Sequence, residues 1–94
     1  MIEWTERASS QLDNVHDYIA LTNSVDVAAA IRLHIIETLQ QLLPFPMSGR
    51  AGRVPGTREL VIPKTPFVAV YTVQKTRILV LAVYHGAQRW PGAL

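Results

Sequence analysis

Apolar residues recur at helical intervals through the first half of the chain and at strand intervals through the second. Ala8, Leu12, Val15 and Ile19 fall at steps of four, three and four, a stripe along one side of a helix from which Asp13 and Asp17 are directed away. Thr5 offers a hydroxyl to cap this helix, and Glu6 puts a carboxylate in its first turn, where the helix dipole favours it. The helix should run to about residue 21, because Thr22-Asn23-Ser24 breaks the pattern. Val27, Ile31, Ile35, Leu39 and Leu42 then repeat at helical spacing after a Ser24 cap, until Pro44 removes a backbone donor and stops the second helix. A short extended start over residues 1–4 precedes the pair, which reads as an antiparallel helical hairpin.

Residues 44–57 hold three prolines and three glycines and read as a loop that carries Arg50 and Arg53. Loops of about fourteen residues are uncommon in compact domains and tend to be functional or mobile. Strand-like stretches follow at residues 58–62, 67–73 and 77–84, separated by the turns Pro63-Lys64-Thr65-Pro66 and Gln74-Lys75-Thr76. The run Ile78-Leu79-Val80-Leu81-Ala82-Val83 is apolar on both faces and belongs inside the sheet. The order β-α-α-β-β-β predicts a single α+β domain over residues 1–94, with the helical hairpin packed on a mainly antiparallel four-stranded sheet. The first strand is expected at an edge or beside the last strand, and its pairing partner stays open.

Composition fits that picture, with 49% apolar and 17% charged residues and no cysteine, so packing rather than disulfides must stabilise the fold. No basic leader and no apolar stretch of about 18 residues is present, and a cytoplasmic protein without a membrane partner is expected. Charge is more informative. Residues 1–49 carry two basic and six acidic groups, a net −4, whereas residues 50–94 carry seven basic groups against Glu59 alone, a net +6. Five of those seven are arginines, whose planar fork matches phosphate oxygens, so the second half is suited to a polyanion, RNA foremost.

His16, His34 and His85 form no pair at metal-ligand spacing, so neither a metal site nor a cofactor is expected. His16 and His34 lie on the predicted helices and read as surface or interhelical side chains. His85 sits where a strand ends, beside Gly86 and four residues before Arg89, a place from which side chains often form sites. Arg58 and Glu59 alternate along a strand and must point to opposite faces. Trp90 is either a core plug or a platform on which a base stacks. RNA cleavage through the 2′-hydroxyl needs a base, an acid and cations around the phosphate. His85, Arg58 and Arg89 would be the minimal catalytic set, with Arg50, Arg53, Lys64 and Trp90 binding the RNA and its phosphates.

The opening Ile-Glu-Trp-Thr, a helical hairpin ending at a proline, the segment Gly52-Arg53-Val54-Pro55-Gly56-Thr57-Arg58-Glu59-Leu60, the strand Phe67–Val73 and the close Val83-Tyr84-His85-Gly86-Ala87-Gln88-Arg89-Trp90 form an ordered set. In that set the chain resembles the RelE/ParE superfamily of bacterial toxins, the toxic halves of type II toxin-antitoxin systems. The resemblance implies one of two activities. RelE-like members cut mRNA in the ribosomal A site, and ParE-like members inhibit DNA gyrase. Arg58 matches an arginine of both branches, His85 a histidine found in some members of each, and Arg89 falls near the C-terminal arginine of the nucleases. Glu59 and Val61 stand where RelE-like enzymes often carry lysines, and no tyrosine follows His85, which leaves the general acid open. The arginine excess and the terminal His85-Gly86-Ala87-Gln88-Arg89-Trp90 segment place a ribosome-dependent mRNA endoribonuclease first and a gyrase inhibitor close behind. Either way the resemblance implies a cognate antitoxin bound in a hetero-oligomer.

Overall fold

The computed structural model describes residues 1–87 of the 94-residue chain. Its elements are β1 (Ile2–Trp4), α1 (Glu6–Thr22), α2 (Val25–Gln40), β2 (Arg50–Ala51), β3 (Arg58–Val61), β4 (Phe67–Val73) and β5 (Ile78–His85). Both helix starts are capped as their sequences predict. The Thr5 hydroxyl accepts from the Ala8 N–H at 3.1 Å, and the Ser24 hydroxyl accepts from the Val27 N–H at 3.0 Å.

The strands form one sheet in the order β1-β5-β4-β3-β2. All neighbours are antiparallel except β1, which runs parallel to β5 with Ile2 opposite Ile78 and Trp4 opposite Val80. The first strand therefore lies both at an edge and beside the last strand. The sheet has five strands rather than the expected four, because the proline-glycine loop contains a short strand. Arg50 pairs with Glu59 and Ala51 with Arg58. The Gly52 N–H donates to the Thr57 carbonyl at 2.8 Å, and Gly56, at φ 82°, turns the chain back into β3. A two-residue strand has no period, so the hydrophobic pattern did not reveal it.

The helices cover one face of the sheet. Ala8, Leu12, Ile35, Leu39 and Leu42 pack there against Phe67, Ala69, Tyr71, Ile78, Val80 and Val83. The opposite face buries Val68, Val70, Ala82 and Tyr84, with Val54 from the β2–β3 turn and Leu81 packed against them. A register jump explains how β5 serves both faces. Val80 pairs with Tyr71 and Ala82 with Val70, so Leu81 is the extra residue of a bulge. Ile78 and Val80 face the helices before it, whereas Val83 faces them after it.

Candidate functional site

Alternation along β3 turns Arg58 and Leu60 toward the helix side and Glu59 toward the opposite face, as their positions in the strand predict. Glu59 is 2% exposed, and three donors converge on its carboxylate. Arg50 Nη2 lies 3.0 Å from Oε1, the Arg53 backbone N–H donates to Oε2 at 3.0 Å, and the Tyr84 hydroxyl donates to Oε1 at 3.2 Å. Burial pushes this carboxyl up, but the hydrogen bonds from Arg53, Arg50 and Tyr84 outweigh it and hold the group below its ordinary value. The same contacts raise the Arg50 guanidinium, chiefly through its bond to Glu59. Burial, reinforced by the nearby Glu59 charge, raises the Tyr84 phenol. Glu59 is thus an ionised internal anchor, and its work is to hold the arginine-bearing loop on the sheet.

Arg58 lies on the other side of the strand. Its Nη1 donates to the Gly49 carbonyl at 2.7 Å and reaches toward the Met47 carbonyl. Beneath this segment the buried Tyr71 hydroxyl accepts from the Gly49 N–H at 3.0 Å and donates to the Pro46 carbonyl at 2.8 Å. Residues 46–49 are therefore held from below by a phenol and from the side by a guanidinium. Arg58 also lines a depression with Met47, Gly56 and Val73.

His85 ends β5 with an exposed ring that meets Phe67 edge-on at 5.8 Å between centroids. Its Nδ1 accepts from the Ala87 N–H at 3.0 Å, so the neutral ring carries its proton on Nε2. The ring borders a groove of about 410 Å³ between α1 and the end of β5, with Gln11, Asn14 and Tyr18 on the opposite wall.

Among the described residues these candidates do not converge. Arg58 is level with Tyr71 and His85 with Phe67, four residues apart along β4, or about 13 Å at strand rise. Lys64 lies in the β3–β4 turn near the His85 end, exposed and with φ 65°. Arg50 and Arg53 lie at the β2 edge, where Arg50 keeps 56% of its side chain exposed despite its bond to Glu59. Arg89 and Trp90 fall outside the described residues. His16 stays near Asp17 on the surface, and His34 Nε2 bonds the Pro63 carbonyl at 2.7 Å, which ties α2 to the β3–β4 turn rather than to α1. Among the described residues no three histidine, aspartate and glutamate side chains gather as a metal would require, and no helix is long and apolar enough to cross a membrane. Sequence reasoning missed Tyr71 and Tyr84, which anchor the two sides of the loop. A signal existed for Tyr84's partner, because Glu59 is the single acid among the seven basic groups of the second half.

The family described as the ParE toxin of type II toxin-antitoxin systems, parDE, matches residues 2–90. The Sinorhizobium fredii protein Y4kP is 37% identical over 93 residues, covering 99% of this chain and 95% of its own length. A chain of the chromosomal ParDE system of P. aeruginosa superposes with a TM-score of 0.82 at 27% identity, over 89% of this chain and 92% of that one. A chain of the intact E. coli RelBE toxin-antitoxin complex superposes with a TM-score of 0.69 at 16% identity, over 95% of this chain and 98% of that one. A five-stranded sheet under a helical hairpin, a family match from the first strand to the C-terminal segment, and a relative aligned over nearly the whole chain agree, and the chain belongs to the ParE toxin family of type II toxin-antitoxin systems.

Proposed function

We propose that this chain arrests growth by inhibiting DNA gyrase in the cytoplasm, and that a cognate antitoxin neutralises it in a hetero-oligomeric complex. The observation that carries this reading is the ParE family match over residues 2–90, combined with the separation of His85 from Arg58, two residues that RNA cleavage would have to bring together. His85 and Arg58 stand at opposite ends of the sheet, and the Glu59 carboxylate is committed to Arg50, Arg53 and Tyr84. That geometry suits a binding surface better than an acid-base centre. It reverses the order drawn from the arginine excess and the terminal segment, which set mRNA cleavage first.

Ribosome-dependent cleavage of mRNA is the second reading. The exposed His85 ring beside a groove favours it, because a base needs access to its substrate. In that reading Arg58, Arg89, Arg50, Arg53, Lys64 and Trp90 serve mRNA on the ribosome instead of gyrase. Brief induction in cells decides between them. Trapped or inhibited gyrase with intact mRNA is the result expected, whereas new mRNA ends within translated frames, lost in His85→Ala, would overturn gyrase inhibition in favour of the nuclease.

A further inference from the structure

Apart from Met1 and Val61, the large apolar side chains exposed among the described residues fall in two places. On the helices, Tyr18, Leu21, Val25 and Leu33 are uncovered, and the nearest charges in sequence are Asp17, Asp26 and Arg32. The second place is the segment after α2, where Leu43, Phe45 and Met47 are 47%, 68% and 59% exposed. Three depressions meet there. One is bordered by Pro44, Phe45 and Met47, one by Leu43, Pro46 and Val73, and one by Met47, Val73 and Arg58. Because they share Pro46, Met47 and Val73, they form one continuous surface rather than scattered exposed residues.

The surface is also built. Tyr71 and Arg58 fix the backbone of residues 46–49 through the Gly49 and Pro46 hydrogen bonds, so Phe45 and Met47 project from a held segment. Contiguous apolar surface with a polar rim marks a protein contact, and a preformed one loses little freedom on binding. The rim has one sign. Arg58, Lys75 and Arg77 border the depressions, and the only carboxylate ion-paired with any of the three among the described residues is Glu3, which meets Arg77. An apolar strip with a cationic border fits a segment that alternates apolar and acidic side chains. It does not fit a second copy of the same surface, which would place like charges opposite one another.

Resting on the reading above that a cognate antitoxin neutralises this chain, we propose that Leu43, Phe45, Met47 and Val73, bordered by Arg58 and Lys75, form the docking surface for an acidic amphipathic segment of that antitoxin. The same contact would cover Arg58, so inhibition follows from occlusion without any change in the toxin fold.

The test is binding of full-length toxin to the full-length antitoxin encoded with it, by titration calorimetry. Phe45→Ser/Met47→Ser should weaken binding at least about tenfold with an unchanged melting temperature, since both residues are exposed. Leu21→Ser/Leu33→Ser, on the helices, should stay within about twofold of wild type, a difference of under 1 kcal/mol. Lys75→Glu should weaken binding and flatten its dependence on salt. Hydrogen exchange on the wild-type complex gives a readout free of mutation, with protection expected over residues 45–49 and 73–77. Wild-type binding with no loss in the Phe45/Met47 variant, or with protection confined to the helices, overturns the docking surface alone. No binding by the wild-type chain overturns the antitoxin reading as well.

Discussion

Arg50 and Glu59 are direct cross-strand partners in the β2–β3 pair, and Arg50 Nη2 lies 3.0 Å from Glu59 Oε1. One end of this ion pair is largely in solvent and the other is buried, so the arrangement is asymmetric. Arg50 can rehydrate if the pair is broken, whereas Glu59 cannot. The carboxylate is also the point at which the Arg53 backbone and the Tyr84 hydroxyl meet, which ties the arginine loop to the end of β5.

Glu59→Gln should destabilise the fold by about 1–3 kcal/mol at neutral pH, because an amide offers one acceptor where three donors converge. The effect should depend on pH. The folded carboxyl lies below its ordinary value of 4.5, so the unfolded chain takes up the proton first. Its contribution is complete above about pH 5 and fades as pH falls through the folded value. Urea unfolding between neutral and acid pH should therefore show wild type and Glu59→Gln converging toward the acid end. A constant gap across that range would mean that the ionised carboxylate is not what stabilises the loop.

Gly49→Ala should be more damaging than a loop position suggests, because Gly49 is buried. A Cβ there would lie 2.6 Å from the Tyr71 hydroxyl and 3.0 Å from the Glu59 carbonyl oxygen, and Tyr71 is fully buried. The clash must move a packed ring, an overpacking cost of about 1–3 kcal/mol. Tyr71→Phe removes the hydroxyl but leaves the Gly49 N–H without that acceptor, and a loss of roughly 1–2 kcal/mol is expected. Thermal melts of the two variants, with amide exchange at Gly49, check both.

Arg58→Ala should reduce gyrase inhibition by about tenfold or more, a difference of about 1.4 kcal/mol in binding. Arg58→Lys should recover little of it, because a lysine keeps the charge but not the planar fork that reaches the Gly49 carbonyl. Supercoiling assays with the purified variants, each first checked by a melt, measure this. Full inhibition by Arg58→Ala would remove the residue from the target surface.

Leu39→Ala should cost roughly 2–5 kcal/mol as a truncation in the core between helices and sheet. Leu81→Ala should cost less, although Leu81 lies in the most apolar run of the chain. It is the half-buried extra residue of the β5 bulge, with space to relax. Denaturant midpoints of the two variants order them directly.

The sequence by itself determined the elements and their layering. Two helical stripes ending at Ser24 and Pro44, β-branched runs between turn residues, and an acidic first half against a basic second half are local properties, and each appears in the fold where its spacing implied. The α+β class followed, because a helical hairpin and an apolar sheet can bury their faces only against one another. Tertiary structure decided how the candidate side chains meet. The bulge at Leu81 advances the end of β5 by one residue, which turns His85 onto the helix side beside Phe67, a change of face that no hydrophobic period records. Two residues within the loop pair with β3 as β2, and the loop's Arg50 side chain and Arg53 N–H satisfy the buried Glu59 carboxylate, whose desolvation exists only in the folded chain. The separation of Arg58 from His85 likewise depends on strand register, which pairs residues distant in sequence.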